Sequence, residues 1–178
     1  MADNLLDLDK LRKEMQTALG AALDTWGNVE AQLCSIFCSA FDSKEYEIAS
    51  AAFSAVLSFE VQTTIADAVL KEKFKSDKTV LNRWKPVLKK LKALRPIRNK
   101  LAHGKMVIVR NATTRRHEFR FLPFFHYYTH KDRKIFANLN ILDIKAIHAE
   151  FGQLVQTLSA FGKSIGAIQN IRQNDWLV

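Results

Sequence analysis

The chain is predicted to be all-α, an antiparallel helical bundle with a short β-hairpin inserted before the last long helix. Three observations predict this. Apolar residues recur at steps of three and four across Leu19–Ala40, Leu81–Leu94 and Ile144–Ile168. Strand-like alternation is confined to Met106–Leu122. Hydrophobic residues make up 48% and charged residues 25% of 178 positions, which suits one globular domain with a full core.

The first helix carries its stripe on Leu19, Ala22, Trp26, Val29, Leu33, Ile36 and Ala40, with Gly20 and Gly27 as weak points. Asp42 and Glu45 have the spacing of a capping box, which predicts a new helix near Ser43. Ile48, Ala52, Ala55 or Val56, and Phe59 form its expected inner face. After a break near Ser58 the pattern continues through Val61, Ile65, Ala68 or Val69, and Phe74.

Lys71–Lys78 is a charged connection. A basic helix follows from about Thr79, with Leu81, Trp84, Val87 or Leu88, Leu91 and Leu94 inward. Lys85, Lys89, Lys90 and Lys92 project to solvent. Pro96 has no backbone N–H to donate, so a kink or restart is expected there. Ile97–His103 supplies the last turns, and Gly104 is placed to end them in the left-handed conformation.

Met106–Arg110 and His117–Leu122 read as the two strands of a hairpin around the polar turn Asn111–Arg116. Phe119 and Phe121 face one side of it, Glu118 and Arg120 the other. Pro123–Phe136 is an aromatic-rich loop expected to pack on the helices. Asn140 caps the final helix, whose stripe is Ile144, Ile147, Phe151, Leu154, Leu158, Phe161, Ile165 and Ile168.

Charge is unevenly spread. Met1–Leu70 holds four Lys/Arg against eleven Asp/Glu, whereas Lys71–Lys134 holds twenty against four. A positive middle third in a chain of net charge +9 fits a polyanionic partner such as RNA. The expected contacts are Lys85, Lys89, Lys92, Arg95, Lys100, Lys105, Arg115 and Arg116, with Arg120 adding to the same surface. Phe124, Phe125, Tyr127 and Tyr128 either stack on unpaired bases or pack in the interior.

Several classes are set aside. An apolar run of about 18 residues is lacking, so no membrane span is expected. The acidic N-terminus is unlike a secretory signal. Cys34 and Cys38 sit four apart, a poor spacing for a disulfide within a helix, which suggests reduced thiols and a cytoplasmic location. His126 and His130 are also four apart, but the acidic residue of a catalytic metal helix is missing. No metal or cofactor is expected. His148 reads as a packing residue beside the last stripe. Neither a phosphate-binding glycine loop nor a Ser-His-Asp set is recognisable.

The most informative segment is Arg98-Asn99-Lys100-Leu101-Ala102-His103-Gly104. Asn99 and His103 are four apart and share a helix face, while Arg98 lies roughly 140° around the axis from His103. Together they offer a cation, an orienting amide and a proton-transfer group at one helix end. RNA carries its own nucleophile, so such a set suits phosphodiester cleavage without a metal. The bland alternative is that Arg98 pairs with an acidic residue of the first third while Asn99 and His103 cap the helix.

This segment resembles the signature of the HEPN superfamily, helical proteins with an Arg-x4–6-His motif and often Asn after the Arg. The resemblance implies a metal-independent endoribonuclease, often a toxin or antiviral effector, with a composite site formed by a homodimer. It implies that Arg98 stabilises phosphate charge, Asn99 orients, and His103 transfers protons. Two rival expectations stand beside it. One is a non-catalytic module that binds nucleic acid or a nucleotide. The other is a subunit in a complex with an antitoxin or a small nucleotidyltransferase.

Overall fold

A computed structural model describes residues 2–41, 45–110, 117–123 and 139–174, with side chains described for 8–41, 45–109, 117–122 and 139–166. The described residues are mostly helical and form α1 (Ala2–Cys38), α2 (Tyr46–Ser54), α3 (Phe59–Lys73), α4 (Lys78–His103), β1 (Gly104–Arg110), β2 (His117–Pro123) and α5 (Ile141–Asn174). The helical fold with a hairpin before the last helix is therefore observed. Among the described residues no helix is long and apolar enough to cross a membrane. The aromatic loop, His126, His130, Asp42 and the hairpin turn lie outside the described residues.

The chain divides into two compact units, and α1, α4 and α5 contribute to both. The first comprises Met1–Trp26 and Pro96–Phe151. Its core is Met15, Ala18, Ala22 and Trp26 of α1, Leu101 of α4, Phe121 of β2, and Ile144 and Phe151 of α5. Trp26 and Phe151 meet edge to face with centroids 4.9 Å apart, a geometry that complements the ring quadrupoles. The hairpin is antiparallel, in a register running from Gly104 opposite Pro123 to Arg110 opposite His117. On the far edge of β2, Phe121 and Leu139 exchange backbone hydrogen bonds of 2.8 and 3.1 Å. Alternation buries Phe121 and leaves Glu118 and Arg120 to pair with each other at 2.6 Å.

Asn140 caps α5 as expected. Its Oδ1 accepts from the Leu142 and Asp143 amides at 2.7 and 3.1 Å, and Asp143 Oδ2 accepts from the Asn140 amide at 2.8 Å. Two otherwise orphaned donors at the helix start are thereby satisfied, with a third bond returned to the cap residue itself.

The second unit comprises Gly27–Arg95 and Gly152–Val178. Val29, Leu33 and Ile36 of α1, Val80, Trp84, Val87, Leu91 and Leu94 of α4, and Leu154, Leu158, Phe161 and Ile165 of α5 are buried in it. The Trp84 ring lies 5.3 Å from that of Phe161, and its indole N–H donates to Asp67 Oδ1 at 3.0 Å. Asp67 Oδ2 in turn accepts from Lys71 Nζ at 2.8 Å. Asp77 starts α4, its side chain accepting from the Val80 amide at 3.2 Å.

The structure corrects several expectations. Helix α2 runs from Tyr46, and its N-cap residue Glu45 makes no side-chain capping bond; Asp42 and Ser43, where the start was expected, lie outside the described residues. Its buried residues are Ala49 and Phe53, while Ile48, Ala52 and Ala55 face solvent. Phe53 wins because its ring packs 4.7 Å from Phe37. In α3 the buried residues are Thr63, Ala66 and Leu70, and Val61 is exposed. Thr63 can face inward because its hydroxyl donates to the Phe59 carbonyl at 2.8 Å.

Helix α4 continues through Pro96 instead of restarting. Pro96 is exposed, so the hydrogen bond it forfeits to the Lys92 carbonyl is lost on the side that water reaches. Ala40 is buried, although α1 ends before it. Leu19, Leu81 and Ile147, all expected inward, are half-buried. The side chain of Ile168 lies outside the described ones.

Candidate active site

The last turn of α4 sets the site. Leu101 is 1% exposed, which fixes how the helix is rotated. Counting about 100° per residue from Leu101, Asn99 and His103 fall on the opposite side of the helix. Both are exposed. Arg98 lies only about 60° from Leu101 and is half-buried. Its guanidinium Nη1 nevertheless donates to Asn99 Oδ1 at 3.3 Å. A long, bendable side chain thus reaches round from its own face, and the amide holds it there. Arg98 and Asn99 are brought together by contact, and His103 stands one turn further along the Asn99 face.

The residue after His103 is held by packing. Gly104 does not adopt the expected left-handed conformation; it is the first residue of β1. Its missing side chain is required for another reason. A Cβ there would collide with Phe121 Cε1, would lie 2.6 Å from Phe121 Cζ and would lie 2.9 Å from the Leu122 carbonyl oxygen. The Phe121 ring thereby locks the passage from His103 into the hairpin. Gly104→Ala is expected to lower stability by about 1–3 kcal/mol through overpacking, read as a lower midpoint in urea denaturation.

Around this turn, Lys100 is half-buried, and that burial lowers its ammonium below the ordinary lysine value. Lys105 is exposed at the start of β1. In the second unit, Lys85, Lys89 and Lys92 are exposed at spacings of four and three, which places them on one face of α4. Lys85 Nζ donates to Asn82 Oδ1 at 3.1 Å. Arg95 behaves differently from its lysine neighbours. It pairs with Glu60 at 2.8 Å beside a cleft of about 210 Å³ that Thr63, Leu91 and Lys92 also line. Arg120 is engaged by Glu118. Arg115 and Arg116 lie outside the described residues.

The first unit also carries a groove that hydropathy periodicity does not reveal. An open groove of about 660 Å³, it is lined by Asp9, Lys10, Lys13, Glu14, Thr17, Ala18 and Ala21 of α1 and by Lys145 and His148 of α5. His148, expected only to pack, forms part of its wall. The available signal was the recurrence of Lys10, Lys13, Thr17 and Ala21 along one stripe of α1.

The thiols of Cys34 and Cys38 lie 4.0 Å apart, and Cys34 Sγ is 3.8 Å from Ser50 Oγ. Burial, reinforced by the neighbouring Cys34, pushes the Cys38 thiol up to about 11. At neutral pH it therefore stays protonated, the opposite of what a nucleophilic cysteine needs. Among the described residues no group of three His, Cys, Asp or Glu is placed to hold a metal ion.

Comparison with protein-family models, with curated proteins and with solved structures returns no match.

Proposed function

We propose that this protein is a metal-independent endoribonuclease of the HEPN type, an antiparallel helical bundle that cleaves RNA at a composite site made by two copies of the chain. The supporting observation is the last turn of α4, where Arg98 bonds to Asn99 at 3.3 Å and His103 is exposed on the Asn99 face. In this reading the imidazole of one copy removes the proton of a ribose 2′-hydroxyl. The freed oxygen attacks the adjacent phosphorus while Arg98 stabilises the extra negative charge. The imidazole of the other copy gives a proton to the departing 5′-oxygen. One product ends in a 2′,3′-cyclic phosphate and the other in a 5′-hydroxyl. Asn99 orients the guanidinium. Toxin–antitoxin or phage-defence biology, in the cytoplasm, is the setting that fits such an activity.

The test is incubation of RNA with the purified protein in excess EDTA. Cleavage should persist in the chelator and should stop when the ribose at the cut position lacks its 2′-hydroxyl. Cleavage that needs a divalent ion, or that continues on the 2′-deoxy substrate, would overturn the proposal.

A second reading has its own observation. Lys85, Lys89 and Lys92 form an exposed basic face, which suits a module that holds RNA without cutting it. Replacing all three by Gln is expected to weaken RNA binding and to flatten the log–log salt slope by about 2 for single strands, measured by fluorescence titration. Binding with that slope change and uncut RNA would favour this reading.

A further inference from the structure

Helix α2 has more apolar surface than its own packing uses. Its inner face is occupied: Ala49 and Phe53 are buried, Phe53 packs on Phe37, and Ser50 lies against Cys34. Its outer face carries Ile48, Ala51, Ala52 and Ala55, all exposed, with Ile48 73% exposed. Just past its end Leu57 is 99% and Val61 45% exposed. The Gln62 amide donates to the Val56 and Phe53 carbonyls at 2.8 and 3.4 Å, which holds the first turn of α3 at this end of α2. Single exposed apolar residues are ordinary. Here Ile48, Ala52 and Ala55 recur at spacings of four and three, the pattern by which one helix seats another. A helix apolar on both faces belongs between two partners.

Charge indicates which partner. From Glu45 to Leu70 there is no Lys, Arg or His. Of the four carboxylates in this segment, Glu60 pairs with Arg95 and Asp67 with Lys71, which leaves Glu45 and Glu47 to set the charge beside the outer face of α2. This stands out in a chain of net charge +9. Glu45 and Glu47 flank Ile48 and are exposed. Self-pairing across a two-fold axis would set this acidic segment against its own copy, which like charges oppose. A basic partner meets no such cost.

We propose that the outer face of α2, with Leu57 and Val61, docks a partner protein's amphipathic helix whose apolar face is edged by Lys or Arg. This surface is independent of the Arg98–His103 segment, so either assignment can fail alone.

The test uses the purified full chain and two synthetic amidated helical peptides, both with leucines along one face. One has lysines along its edges and the other has glutamates there. Calorimetric titration should show the lysine peptide binding, more weakly as salt is added, and the glutamate peptide at least about tenfold weaker. Ile48→Glu and Leu57→Glu should each weaken the lysine peptide at least about tenfold. Both positions are exposed, so circular dichroism and melting should match the parent. The proposal is overturned if the lysine peptide does not bind, if both peptides bind equally, or if neither substitution matters. It is equally overturned if the parent is a dimer that these substitutions dissociate, which would assign the face to a second copy.

Discussion

His103→Ala protein is expected to fold like the parent and to cleave RNA about 100- to 10,000-fold more slowly, the usual contribution of a positioned acid–base group. The side chain is exposed at the end of α4, so its removal leaves no cavity in the core. Arg98→Ala should cause a comparable loss, because one donor to developing negative charge is commonly worth about 100- to 1,000-fold. Arg98→Lys keeps the charge but not the planar fork that bonds Asn99, so it should restore only part of the rate. Initial rates on a fluorescent RNA, with circular dichroism of each variant as the folding control, check all three. Parent-like rates from both alanine variants would remove the motif from the chemistry.

Trp84→Ala is expected to cost about 3–5 kcal/mol, the range for emptying a large aromatic site. Trp84 is 1% exposed and packs on Phe161. It also satisfies Asp67, whose other oxygen is held by Lys71. Trp84→Phe preserves most of the apolar contact and removes only the donor, so about 1–2 kcal/mol should be lost. Urea denaturation of parent and both variants gives the comparison. Equal losses from Ala and Phe would mean that the hydrogen bond, and not the packing, dominates at this position.

The helical fold was legible because α1, α4 and α5 are long and each keeps one dominant apolar stripe. The short helices were not. Helix α2 offers two stripes, Ile48-Ala52-Ala55 and Ala49-Phe53, and periodicity cannot choose between them. The choice is made by Phe37, a residue distant in sequence whose ring meets Phe53. In α3 the polar residues Thr63 and Asp67 turn toward the protein because each finds a partner, the Phe59 carbonyl one turn back or the Trp84 indole on α4. A hydropathy pattern assigns such residues to solvent.

At the site, spacing alone put Asn99 and His103 on one face. It left Arg98 on another, and the hydrogen bond that swings it toward Asn99 depends on side-chain reach. Its place after the last helical turn marks Gly104 as a conformational stop, yet what requires glycine is the Phe121 ring, packed from the far strand of the hairpin. Its position among lysines makes Arg95 resemble a phosphate contact, and its pairing with Glu60 depends on how α3 meets α4.

The most direct measurement is the chemistry of the RNA ends left by the purified protein. Parent protein in EDTA should leave 2′,3′-cyclic phosphate and 5′-hydroxyl termini, and His103→Ala should leave the RNA intact. A 3′-hydroxyl with a 5′-phosphate, or the same ends at the same rate from His103→Ala, would contradict cleavage by this helix end.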